Sequence, residues 1–208
     1  MKDQRHSPRA RILGALLLAA LASPLAAAES LSPDAEGYIR HWVMLAPIAF
    51  RPGDSGAEAI LKEQVPGEAR LTPKAGDKVS VGGKELTWSN VTAGTNYFDF
   101  NATLKTLNDQ AAGYMATYVE CDEEIPNVIM AVSSNDQGRI YFNGVDIYAF
   151  TEARTLMLDS DKGRVTLRKG INTILFKVTN EQNSWQGALR LLDNSGAPLK
   201  GIRIRQSP

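Results

Sequence analysis

Beyond its first thirty residues the chain is written in short alternating phrases. Ile39, His41 and Val43 alternate with Arg40, Trp42 and Met44. Leu86 and Trp88 share one face of KELTWSNV. Tyr114, Ala116 and Tyr118 alternate with Met115, Thr117 and Val119. Period two is the strand period, because successive side chains of an extended chain point to opposite faces. VIMAV, RIYF, VDIYAF, RVTL, INTILFKVTN, WQGALRLLD and IRIR follow, split by NDQG, NG, DKG, KG, NEQN and DNSG. The Asn and Gly of these separators tolerate the positive φ that tight turns need. In SSNDQGRIYFNG (133–144) two such signals flank RIYF and predict two successive hairpin turns. In INTILFKV, Ile174, Phe176 and Val178 fall on one face and Thr173 and Lys177 on the other. That predicts one face in the core and one in water, as an antiparallel sheet allows.

Helical phrases are few. AEAILKEQV (57–65) has good helix formers and is closed by Pro66-Gly67. TLNDQ (106–110) has room for one further turn. Pro47 ends or bends the first strand. Many short strands with little helix predict an all-β fold, an antiparallel sandwich or barrel; the antiparallel β-sandwich, with one short helix near Ala57–Gln64, is the leading expectation.

The N-terminus reads differently. Lys2, Arg5, Arg9 and Arg11 precede an apolar run from Ile12 to Ala22, and Ala26-Ala27-Ala28 follows. This is the pattern of a secretory signal peptide cleaved after Ala28. The apolar run falls short of the roughly 20 residues that span a bilayer. Residues 29–208 remain as one domain, expected to be secreted or periplasmic with no membrane span. The full chain has 23 basic and 23 acidic residues; the leader removes four basic residues and Asp3, leaving 19 against 22. A net charge near −3 disfavours nucleic acid and anionic membranes as partners. Cys121 is the sole cysteine, so no internal disulfide forms and the core must hold the domain. It sits in VECDEE, whose acids raise a thiol pKa. It reads as an inert thiol, with an intermolecular disulfide as the alternative.

Catalytic chemistry finds little support. Gly53–Gly56 spells GDSG, a serine-nucleophile sequence, but His41 is the only histidine after the leader. A nucleophile needs a base held by an orienting acid, so GDSG reads as a turn. One His and one Cys cannot make the usual zinc site. Asp122-Glu123-Glu124 reads as a solvated loop. No cofactor is required; Asp159-Ser160-Asp161 and Asn135-Asp136 are the candidates for a structural calcium, against a leading reading as turn residues. Trp42, Trp88 and Trp185 lie in strand phrases and read first as packing. Trp185 is the best exception, because it follows NEQNS. Asn183 would offer an amide to hydroxyls and Trp185 a ring face to a sugar, so these two are the candidate ligand-binding residues.

The order of phrases from Ala112 to Ile204 resembles the galactose-binding-like jelly-roll domains of secreted bacterial glycoside hydrolases and related cell-surface proteins. GYMATYVE comes first, then VIMAVSSNDQGRIYFNGVDIY, then RVTLRKGINTILFKVTNEQNSWQGALRLLDNSGAPLKGI. HWVMLAPI and GDKVSVGGKELTWSNV extend the likeness over most of the chain after the leader. The resemblance implies a jelly roll, often with a structural calcium. It also implies a non-catalytic binding module for carbohydrate or a cell-surface protein. Such domains host many roles, so the alternative is a structural or assembly sandwich that makes protein–protein contacts without a small ligand.

Overall fold

The computed structural model describes residues 31–208; the leader expected at 1–28 lies outside the described residues. One sheet runs β4 (Ser89–Thr92), β1 (His41–Ala49), β6 (Ala111–Cys121), β11 (Gly170–Asn180), β8 (Gly138–Phe142) and β9 (Val145–Phe150), and β13 (Ile202–Arg205) pairs with the end of β6. The second runs β10 (Asp161–Leu167), β7 (Ile125–Asn135), β12 (Gln186–Leu192) and β5 (Phe98–Asp99). A separate hairpin joins β2 (Lys78–Val81) to β3 (Lys84–Thr87). All pairings are antiparallel, and the fold is the all-β sandwich that the alternation predicts.

Of the two turns flanking RIYF, only the second is a hairpin. Asn143 and Gly144 take φ of 50° and 81° between β8 and β9. The first carries the chain from β7 in one sheet to β8 in the other. That corner is pinned to β11, where Asp136 N–H donates to Thr179 O at 3.0 Å and Thr179 N–H donates to Gln137 O at 3.1 Å. Gly138 is required there for space: a Cβ would stand 2.8 Å from Ser134 Oγ.

Pro47 bends β1 without ending it, and the register shifts between Leu45 and Ile48. Among the described residues there are two short helices, not one. In α1 (Gly56–Leu61), Ser55 caps the start: its Oγ accepts from Glu58 N–H while the Glu58 carboxylate accepts from Ser55 N–H, a capping box. The GDSG serine is therefore a helix cap. The helix stops short of Gln64 because two cations take its last carbonyls. Arg139 donates to Leu61 O at 2.7 Å and Lys177 to Lys62 O at 2.6 Å. In α2 (Phe100–Leu104), Asp99 caps the start; this turn of helix lies ahead of TLNDQ. A single 3-10 turn covers Glu68–Arg70.

Two apolar layers result. Met115, Ile140, Phe176, Val178, Leu189 and Leu191 pack between the sheets, all within 1% of complete burial. On the outer face of the larger sheet lie Val43, Leu45, Tyr114, Tyr118 and Leu175. They are covered by Val65, Leu86 and Trp88 from the 50–88 excursion. Both faces of β6 and of much of β11 are thus buried. This corrects the expectation for Lys177. The alternation is right, but the second face meets the excursion instead of water, and Lys177 is 0% exposed.

Candidate functional site

Two constellations stand out. The first is buried. Glu68, on the 3-10 turn, drops its carboxylate onto the outer face of the large sheet and is 0% exposed. Tyr114 donates its hydroxyl to Glu68 Oε2 and Tyr141 to Oε1. Gln64 N–H adds a third donor at 3.1 Å. Lys177 Nζ lies 3.3 Å from Oε1 and 3.2 Å from Oε2, and also donates to Ile60 O at 3.1 Å. Burial brings the Lys177 ammonium down to about 8, against the pull of Glu68. Burial first, and Glu68 second, push the Tyr114 phenol well above its ordinary value. Each member has its partners, as a buried charge requires.

The second constellation is open. A groove of ≈ 790 Å³ runs between the end of β1, the β2–β3 hairpin and the loop before β6. Ile48, Phe50, Val81 and Leu86 give it apolar walls; Arg51 and Lys84 stand among its polar lining. Leu107 belongs to both this groove and a neighbouring hollow of ≈ 570 Å³ that contains Asn183, Asp99 and Lys105. Leu107 is 76% exposed, the most exposed large apolar side chain among the described residues. Its loop is held by amides. Asn101 Oδ1 accepts from Asn108 N–H at 3.0 Å, and Asn101 Nδ2 donates to Asn183 O at 2.7 Å. Asn180 Nδ2 donates to Asn108 O at 2.7 Å. Asp109 Oδ1 accepts from Asn183 N–H at 3.0 Å.

The two residues singled out from the sequence part company here. Asn183 is exposed, takes φ of 67° and lines the hollow. Trp185 is 0% exposed. Its ring stacks on Phe100, and its Nε1–H donates to Val178 O at 3.2 Å. It has no face free for a sugar, which corrects its reading as a ring platform: the apolar face was claimed by Phe100. Trp42, in β1, and Trp88, between β3 and β4, are buried too, in line with their first reading as packing residues.

The oxygen-rich loops are engaged internally. Asp159 is paired with Arg190, and Asp161 with Arg154 at 2.7 Å and Tyr148 at 2.8 Å. Asp136 Oδ2 accepts from Glu181 N–H at 3.0 Å. Among the described residues no three His, Cys, Asp or Glu side chains are grouped to hold a metal ion. Cys121 is buried, and burial, then Asp122, raises its thiol pKa. That leaves no surface thiol for an intermolecular bridge. His41 Nδ1 lies 3.2 Å from Thr92 Oγ1, its side-chain partner among the described residues. No helix among the described residues is long and apolar enough to cross a membrane.

No protein-family model matches the chain, and no curated protein matches it. Among solved structures it is similar to the PA14 domain of the MpAFP antifreeze protein. The TM-score is 0.39 with 10% sequence identity, over 82% of this chain and 75% of that one.

Proposed function

We propose that the chain is an exported, non-catalytic recognition domain whose groove holds an apolar segment of a protein partner. The observation that carries this reading is the groove itself, apolar along its walls and edged by the exposed Leu107. Covering such a wall gains about 25 cal/mol per Å² of apolar surface removed from water. Burial of all three tryptophans weighs against a saccharide as the main ligand, because no indole is free to stack. The likeness of the phrase order to galactose-binding-like jelly rolls supports a binding role in a secreted or periplasmic setting. A second reading, saccharide binding, keeps one specific support: the exposed amide of Asn183 lines the hollow beside the groove.

Selection of a displayed random-peptide library on the processed chain tests the main reading. Apolar sequences should be enriched, and Leu107→Asp should abolish their retention. No enrichment, or retention indifferent to Leu107→Asp, rejects it. A glycan-array signal lost in Asn183→Ala would favour the second reading.

A further inference from the structure

We propose that Lys177 and Glu68 join, without an external enzyme, as an intramolecular amide that straps the 50–88 excursion covalently to β11. The two groups are already in contact. Nζ lies 3.2 and 3.3 Å from the two carboxylate oxygens, so the carbon between them, the atom an amine attacks, is its immediate neighbour, and the fold holds the pair together as proximity catalysis requires. Both side chains are fully buried, so bulk water does not compete.

The buried setting favours the neutral forms that react. Charges held away from water carry a desolvation penalty that a neutral product removes. Burial also lowers the Lys177 pKa, which makes the free amine accessible. The step balances without an oxidant or a co-reactant. One ammonium proton moves to the carboxylate, giving an amine and a carboxylic acid. Nζ then attacks Cδ, the Cδ–O bond to the hydroxyl breaks, and a second nitrogen proton leaves with that hydroxyl as water. Tyr114 and Tyr141 each donate to one of the two oxygens. They are therefore placed to stabilise the developing oxyanion and to pass a proton to the departing hydroxyl.

The product leaves no carbonyl stranded. The single remaining N–H keeps Lys62 O, at 2.6 Å from Nζ. Ile60 O, the other carbonyl on Nζ, also accepts from Arg139 at 3.3 Å. The amide oxygen retains a tyrosine donor. The bond would tie residues 109 apart in sequence, in a chain whose one cysteine forbids an internal disulfide. A cross-link that long restricts the unfolded chain as a disulfide would.

The test is the intact mass of the purified wild-type chain in denaturing solvent, followed by peptide mapping. The expected result is a chain lighter than its sequence by one water. A branched peptide should join the segment holding Glu68 to the segment holding Lys177. Glu68→Gln should release ammonia in place of water and converge on the wild-type mass, and Lys177→Met should keep its full mass. Because the wild-type mass decides alone, poor folding of either variant does not blunt the test. A full wild-type mass overturns the proposal. So does a water loss that maps elsewhere, such as to cyclisation of an N-terminal Glu29.

Discussion

The Trp185 indole lies on the Phe100 ring, with centroids 4.2 Å apart and planes 14° from parallel. This contact joins the residue that leads into β12 to the start of α2, and so places Asn183 and the Leu107 loop on one rigid support. Trp185→Ala removes the largest side chain in that contact. The expected loss is about 3–5 kcal/mol, as for other fully buried aromatics. Chemical denaturation measures it; a loss under about 1 kcal/mol, the range of exposed positions, would mean the ring is not packed as described.

Gly113 depends on the same pair. A Cβ there would lie 2.5 Å from Phe100 Cε1 and 2.8 Å from Trp185 Cζ2. Gly113→Ala is therefore expected to destabilise by at least about 1–3 kcal/mol through overpacking. Combining it with Phe100→Leu, which frees space at the clash, should recover part of that loss. Strictly additive losses in the double variant would count against the geometry.

Asn101 reads out the support of the Leu107 loop. Asn101→Ala strands Asn108 N–H and Asn183 O, at a cost of about 1–3 kcal/mol if both stay shielded from water. Hydrogen exchange should quicken across residues 105–110 and leave β6 and β11 protected. Uniform loss of protection would show that the loop is not a separable unit.

Alkaline pH should unfold the protein through its tyrosines. Burial raises the phenols of Tyr114, Tyr118, Tyr141 and Tyr148 above the ordinary 10.0. Below pH 10 both states keep these protons, and this contribution is fully present. Above it the unfolded chain releases protons that the folded chain holds, so stability falls as pH rises. Phenolate absorbance should stay low and then rise together with loss of fold. Ionisation of these four phenols, out of the six in the chain, while the protein stays folded would refute the burial. A free Lys177 acts in the opposite sense. Its folded pKa of about 8 lies below the ordinary 10.5, so it adds stability as pH climbs between the two. An amide at Lys177 abolishes that increment.

Local chemistry settled a good deal from the sequence alone. Period-two alternation marked most of the strands, and the set Ile174, Phe176 and Val178 does face the core between the sheets. Asn143-Gly144 makes its hairpin because Asn and Gly accept left-handed backbone, a property of those two residues wherever they stand. Asn183 was legible as a surface amide because a polar run between two strand phrases has to lie in a loop.

Partners distant in the chain decided the rest. Alternation assigns Lys177 a face but not what covers it; residues 50–88 cover it, and Glu68 stands 109 positions away. The Asp136-Gln137 corner carries turn residues like a hairpin, and only the pairing of β7 and β8 with different sheets distinguishes the two. Trp185 has the same amphipathic ring whether it meets a sugar or Phe100, and packing chose Phe100. The groove draws on four separated segments around Ile48, Glu63, Val81 and Leu107. Periodicity reports which way a side chain points. Burial depends on what arrives from elsewhere in the chain to meet it, and that is a property of the tertiary structure.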